Sequence, residues 1–407
     1  DRSPSRGLGD VYKRQPLTSE LEIARSERFL KGSGFPTAMP AVDLVEVGAG
    51  GGSIAKVNNL GLIQVGPESA GAVPGPMCYG QGGVEPTVTD ADLILGYLNP
   101  DYFVGGEIKL DVDAAKKGIV DLAKQLDRDP LSTAWTIHDA VNEYMTGAVR
   151  MHVVEKGGDP TRAVLVALGG AGPVHAYNLS HKIGIGKILI PARAGVLSAL
   201  GLLVTPPAFD LTWTYRTPIH RLDQTDMALT FTKMETEIET LLRTVDPVGA
   251  MSFRRTADCK YTGQGYTVPV PVPHDLKPDS LSILLQQNFA KAYKKIYGYF
   301  YDDVPAEIIT LKVSGSVPGH VVDLKQFSSG SDSAKKTASM PKGVREAFSP
   351  KYQKMIPSTV YERYSLNPGV KLEGPCIIEE RESTVIVDEG GSVEIDQYGC
   401  LDITVKS

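Results

Sequence analysis

Leu168-Gly-Gly-Ala-Gly-Pro-Val-His-Ala176 closes the run 163–168, which is short, apolar and continuous in the manner of a buried strand. Upstream, Ile137, Val141, Tyr144, Met145, Ala148 and His152 recur at spacings of three and four, which predicts a helix over 132–156. Gly157-Gly158-Asp159-Pro160 stops it. Downstream, Pro173 suits the first turn of a helix to about Ile183, and 187–191 reads as a further strand. Helix, strand, glycine turn, helix, strand is the order of a wound α/β unit.

A second glycine block, Val47-Gly-Ala-Gly-Gly-Gly-Ser-Ile-Ala55, follows the strand-like run 42–47. Residues without side chains let a backbone approach a phosphate or a ring, and successive N–H groups then point at an anion. Neither block has the Gly-x-x-x-x-Gly-Lys-Ser/Thr pattern, and their Gly-x-Gly spacings do not make a Rossmann fingerprint. Each reads either as half of a nucleotide cleft or as a tight connection between elements.

With 407 residues, 42% of them hydrophobic, the chain has material for two or three domains. A formal charge of -6 and a pI near 5.7 leave no basic footprint for nucleic acid or an anionic membrane. Cys78, Cys259, Cys376 and Cys400 lie far apart and form no Cys-x-x-Cys pair, so a reducing cytoplasm is the expected setting. The most apolar stretch, 188–208, contains Arg193 and three prolines and does not read as a membrane span.

Residues 1–15 (DRSPSRGLGDVYKRQ) are polar and aperiodic and resemble translated adapter-like read-through. On that reading the chain is the downstream part of a longer protein. From Pro16 to Pro206 the pattern is α/β. In 60–83, seven glycines and three prolines predict an ordered loop system, after which Thr89 or Asp90 is placed to cap a helix through Leu95. Beyond Pro206-Pro207 the character changes. Helices are predicted over 224–244 and 281–297, the latter with Leu284, Leu285, Phe289, Tyr293 and Ile296 on its apolar side. The stretch 253–273 reads as strand around Gly263-Gln-Gly265, 325–342 as a mobile loop, and 374–405 as three or four short strands turning at Gly390-Gly391 and Tyr398-Gly399.

Together with Ser69-Ala-Gly-Ala-Val-Pro-Gly-Pro-Met-Cys-Tyr-Gly80, Pro86-Thr-Val-Thr-Asp-Ala-Asp92, Gly195-Val-Leu-Ser-Ala-Leu-Gly201, Tyr261-Thr-Gly-Gln-Gly-Tyr266 and Gly374-Pro-Cys-Ile-Ile-Glu-Glu380, the two glycine blocks strongly resemble the A subunit of the hydantoinase and 5-oxoprolinase family. The resemblance runs from Pro16 to the end. It implies an ATPase domain of the ribonuclease-H-like kind found in actin, Hsp70 and sugar kinases over 16–206, of which this is the C-terminal part. A smaller α+β C-terminal domain rich in β-strands is implied over 207–407. On the same footing Gly169, Gly170 and Gly172 are expected at the adenosine side of bound ATP, with Gly50, Gly51, Gly52 and Ser53 lining the cleft. The phosphate-binding turns of relatives fall before Pro16.

The resemblance further implies ATP-dependent opening of a cyclic amide such as a hydantoin or 5-oxoproline, with Mg²⁺ on the phosphates and a B-type partner subunit. Ketone carboxylation of the acetone or acetophenone type is the alternative, toward which Lys31-Gly-Ser-Gly-Phe-Pro36 leans. A noncatalytic scaffold subunit is the third reading. His175 and Asp90 are the expected catalytic groups: His175 touches a phosphate, a metal or the substrate carbonyl, or else is a structural hydrogen-bonder. Asp90 and Asp92 bind a metal or orient water, or else Asp90 caps its helix. Cys78 is read as a metal ligand or a small buried hydrophobe. Asp139 and Glu143 share a helix face, as an ion site or a solvated surface. The Glu379-Glu380-Arg381-Glu382 cluster is expected to face water or a partner.

Overall fold

The computed structural model describes residues 18–23, 35–42, 44–155, 157–274, 281–323 and 340–406. The read-through-like residues 1–15, Lys31 to Gly34 and most of the 325–342 segment lie outside these. Two compact units are present, one built from the chain up to Ser198 together with the chain from Asp323 onward, the other from Ala199–Val322.

In the first unit β1 (Thr18–Ile23) pairs antiparallel with β2 (Phe35–Val42). The strand expected over 42–47 therefore ends where it was thought to begin, and 44–47 are irregular. The first glycine block leads into a hairpin of β3 (Ser53–Val57) and β4 (Ile63–Ser69). Next come α1 (Val88–Ile94), α2 (Val112–Gln125) and α3 (Pro130–Glu155). Thr87, not Thr89 or Asp90, caps α1, and Asp90 returns a bond to the Thr87 backbone in a reciprocal capping box. Asp111 caps α2 through the Ala114 N–H.

The expected α/β unit follows as α3, β5 (Leu165–Val166), α4 (Gly172–Ile183) and β6 (Lys187–Ile190), with β5 and β6 parallel. Pro173 stands in the first turn of α4, and Gly184, left-handed at φ 90°, ends it.

The second unit begins at Ala199, before the change of character at Pro206. After α5 (Leu197–Val204) come β7 (Ala208–Pro218), α6 (Gln224–Val245), β8 (Ser252–Tyr261), β9 (Val268–Val272), α7 (Leu281–Tyr297) and β10 (Ala306–Ser316). The strands make one antiparallel sheet in the order β7-β10-β8-β9. Leu281, Leu285, Phe289 and Tyr293 of α7 and Met227, Phe231, Met234, Ile238 and Leu242 of α6 fill the core against it. The buried stripe of α7 thus runs through Leu281 at a strict spacing of four, and Ile296 is exposed.

The rest of the chain returns to the first unit as β11 (Gly343–Ser349), β12 (Lys354–Glu362), β13 (Lys371–Glu373), β14 (Cys376–Glu379), β15 (Thr384–Val387), β16 (Ser392–Ile395) and β17 (Leu401–Thr404). One sheet is β11-β12-β14-β15. The other, β13-β16-β17-β6-β5, joins the α/β unit to the C-terminal strands, with β17 antiparallel to β6. The architecture is mixed α/β, because antiparallel strands from the far end of the sequence complete the sheet that β5 and β6 begin.

Candidate functional site

At the second glycine turn, Gly169 is left-handed at φ 86° and its N–H donates to the Ala194 carbonyl at 2.8 Å. Ala171 occupies the N-cap of α4 and contributes no side-chain acceptor. A helix start leaves several N–H groups without intrahelical partners and carries partial positive charge. Gly170 is exposed and Gly169, Ala171 and Gly172 are half-buried, so this backbone borders solvent.

The first block is a locked turn. Ser53 N–H donates to the Gly50 carbonyl and Gly50 N–H donates back to Ser53 Oγ, both at 3.0 Å. The Gly51 carbonyl accepts from Thr89 N–H at 2.8 Å and Thr89 Oγ at 2.9 Å, and the Gly52 carbonyl accepts from Ala70 N–H at 2.9 Å. Ser53 is buried, so its hydroxyl holds the turn. The two glycine blocks, 120 residues apart in sequence, meet: a Cβ placed on Gly51 stands 3.7 Å from the Ala171 Cβ. A groove of about 450 Å³ beside the first block is lined by Val47, Ala49, Asn58, Gln64, Pro67 and Tyr144, among others.

Beneath the second turn lies a polar cluster inside the core. His138 Nδ1 and Asp92 Oδ1 are 2.6 Å apart, His175 Nε2 and Asp92 Oδ2 3.6 Å, and His175 Nδ1 and Asn142 Oδ1 3.1 Å. All four side chains are buried. His138 stacks between Trp135 and His175, the two imidazole centroids being 4.4 Å apart with planes 19° from parallel. Burial pushes His138 down to about 3 and His175 down to about 4, so both imidazoles are neutral at physiological pH. Burial raises Asp92 to about 7, against the opposing pull of His175.

The two expected catalytic groups therefore sit inside rather than on an open face. His175 is 2% exposed and spends its contacts on Asp92 and Asn142. Asp90 is fully buried; its Oδ1 accepts Cys78 N–H at 2.7 Å, and its Oδ2 accepts Met77 N–H at 3.2 Å and Thr87 N–H and Oγ–H, each at 2.8 Å. Four donors on one carboxylate pin the glycine- and proline-rich loop to α1. Cys78 is a buried thiol pushed strongly upward by burial and Asp90, which suits a small hydrophobe rather than a thiolate ligand.

Asp139 and Glu143 do share a face of α3, and the cation they hold is Lys182 of α4, at 2.9 and 2.5 Å. In the acidic cluster only part faces water. Glu379 is buried among Lys342, Arg345 and Asn99, and Glu380 among the Arg193 N–H, Tyr364 and Ser383. His138 and Asn142 escaped the reading of apolar periodicity. The signal that finds them is polar: His138, Asn142 and Thr146, at spacings of four, are all buried on one face of α3.

Among the described residues no helix is long and apolar enough to cross a membrane. The fold and site define a mixed α/β protein in which two glycine turns converge over a buried His–Asp–His cluster. The chain belongs to the hydantoinase/oxoprolinase family, whose profile matches residues 11–210 and whose C-terminal domain profile matches 239–405. It is 31% identical over 380 residues to the caprolactamase subunit alpha of Pseudomonas jessenii, covering 91% of this chain and 53% of that one. An uncharacterized protein of Methanocaldococcus jannaschii is 34% identical over 97% of this chain and 56% of its own. The crystal structure of the ATP-dependent caprolactamase from Pseudomonas jessenii superposes with TM-score 0.72 at 30% identity, over 92% of this chain and 54% of that one. A nucleotide-free acetone carboxylase structure shares the fold at TM-score 0.75 and 22% identity, with the same coverage. The chain spans about half the length of these relatives.

Proposed function

We propose that this chain is part of an A-type subunit that uses ATP to open a cyclic amide, working beside a B-type partner. The observation that carries this is the convergence of the two glycine turns at the start of α4, where a Cβ placed on Gly51 would stand 3.7 Å from that of Ala171. Similarity to the caprolactamase alpha subunit, and to 5-oxoprolinase of Dictyostelium discoideum at 27% identity, supports a cyclic amide as the substrate class. On this reading the ribonuclease-H-like ATPase architecture of the sugar kinases is the parent fold of the first unit.

ATP would supply the phosphoryl group that turns an amide oxygen, a poor leaving group, into a phosphate. Gly169, Gly170 and Gly172 would hold the adenosine side through backbone alone, and Gly50, Gly51 and Gly52 would form the facing wall. His175 and Asp90 act as positioning residues: the first seats the start of α4 on α1 and α3, the second fixes the loop beside the cleft. The described residues offer no cluster of carboxylates suited to Mg²⁺, and no step is assigned to that ion.

Ketone carboxylation is the second reading, favoured by similarity to the acetophenone carboxylase gamma subunit of Aromatoleum aromaticum at 29% identity. The test is ATP turnover by the full-length protein co-expressed with its B-type partner. Stimulation by 5-oxoproline, a hydantoin or caprolactam supports the amide reading, and stimulation by a ketone with bicarbonate replaces it. Absence of nucleotide binding in calorimetry sinks both and leaves the scaffold reading.

A further inference from the structure

A stripe of three polar residues on the buried face of α3, His138, Asn142 and Thr146, runs against the start of α4. Polar side chains inside a core are costly unless each finds a partner. Here Asn142 Nδ2, Thr146 Oγ and His175 Nε2 are all buried without a hydrogen-bond partner. His175 Nε2 is the telling one. Its ring donates from Nδ1 to Asn142 Oδ1, which makes Nε2 an acceptor, and Nε2 faces Asp92 Oδ2 at 3.6 Å, a second acceptor. With Asp92 ionised, two lone pairs face each other in a dry interior, an arrangement that a cation between them relieves.

We propose that Asp92, His138 and His175 form a buried binding site for one divalent transition-metal ion of the Zn²⁺ class. Their three ligand atoms lie within 4.8 Å of one another. The 3.6 Å between His175 Nε2 and Asp92 Oδ2 is close to the roughly 3.3 Å edge of a tetrahedral site with bonds of about 2.0–2.1 Å. Two imidazoles and one carboxylate favour Zn²⁺ and its first-row neighbours over Mg²⁺ or Ca²⁺, which take oxygen ligands. Asn142 fixes the His175 tautomer through the distal nitrogen, the usual role of an outer partner to a metal-bound histidine. To coordinate, His138 gives up its contact with Asp92 Oδ1, carries its proton on Nε2, and turns its ring out of the near-parallel stack with His175. The ion would tie α1, α3 and α4 together below the second glycine turn. This site is independent of which reaction the protein performs.

The test is the metal content of the untagged full chain, purified after growth with Zn²⁺, dialysed, and measured by plasma mass spectrometry. About one ion per chain is expected, bound through two imidazole nitrogens in X-ray absorption, with a fall in Tm on removal by a chelator and recovery on adding Zn²⁺. His175→Gln and Asp92→Asn are expected to lose the ion, whereas His181→Gln, an exposed histidine of the same helix, retains it. A dialysed wild-type chain free of metal, with a Tm indifferent to Zn²⁺ and chelator, overturns the proposal and leaves a hydrogen-bonded seam in which the Asn142 amide is reversed or Asp92 is protonated. An ion that survives both variants, or an absorption spectrum without imidazole ligands, overturns it equally; the wild-type spectrum decides even where a variant does not fold.

Discussion

His138 Nδ1 lies 2.6 Å from Asp92 Oδ1, and this contact fastens the middle of α3 to the far turn of α1. Asp92 reaches His175 of α4 with its other oxygen, so one carboxylate joins three helices. The groups involved are neutral imidazoles and a carboxyl with a raised pKa, which makes the junction sensitive to pH.

For the imidazoles, a folded pKa depressed from 6.5 to about 3 and about 4 means stability that is fully present above pH 6.5 and lost as pH falls toward those values. For Asp92, a rise from 3.8 to about 7 works the other way, its contribution being lost as pH rises through 7. Between pH 4 and 6.5 two histidines oppose one aspartate, and the balance is about one proton. Stability of the metal-free protein is expected to rise with pH across that window. Urea titrations at several pH values check this. His138→Gln should flatten the slope, and an unchanged slope would show that the cluster does not control it.

Gly51 and Gly50 should respond differently to the same methyl group. A Cβ on Gly51 meets Thr89 Oγ at 2.8 Å, the atom that holds the Gly51 carbonyl, whereas a Cβ on Gly50 has nothing within 4 Å. Gly51→Ala is expected to cost about 1–3 kcal/mol and Gly50→Ala to change stability by less than about 1 kcal/mol. Equal effects in thermal melts would refute the lock between this turn and α1.

Asp90 accepts from three backbone N–H groups and one hydroxyl, all buried. Asp90→Asn turns one of its oxygens into a donor facing donors, and a loss of at least about 3 kcal/mol is expected. Thr87→Val, which removes only the cap hydroxyl, should cost about 1 kcal/mol. Hydrogen exchange at Met77 and Cys78 reports the loosening directly; protection that survives Asp90→Asn would contradict the role assigned to it.

In the second unit Arg255 of β8 grips Glu235 of α6 with two bonds of 2.7 Å, both side chains being largely buried, and its guanidinium lies over the Phe231 ring. Glu235→Gln should destabilise this unit by about 1.5–3 kcal/mol by leaving that guanidinium half-satisfied. Recovery in the double variant Glu235→Gln with Arg255→Met is the expected sign, and additive losses would show that the pair does not act together.

By itself the sequence determined what neighbouring residues decide. Apolar spacing and end signals placed α3, α4, α6 and α7 within a residue or two, because a helix is a local structure whose ends are written nearby, as in Pro173 and Gly157-Gly158-Asp159-Pro160. The glycine turn after 163–168 and the family it belongs to were legible for the same reason. The tertiary structure alone decided the rest. Strand pairing between β6 and β17 joins Ile188 to Ile403, and neither segment encodes its partner's address. The approach of the Gly51 turn to Ala171, the burial of Glu379 and Glu380, and the meeting of Asp92, His138 and His175 likewise depend on where distant segments pack. A polar side chain reads the same in sequence whether it faces water or a core, and only the fold supplies the neighbours that give it a function.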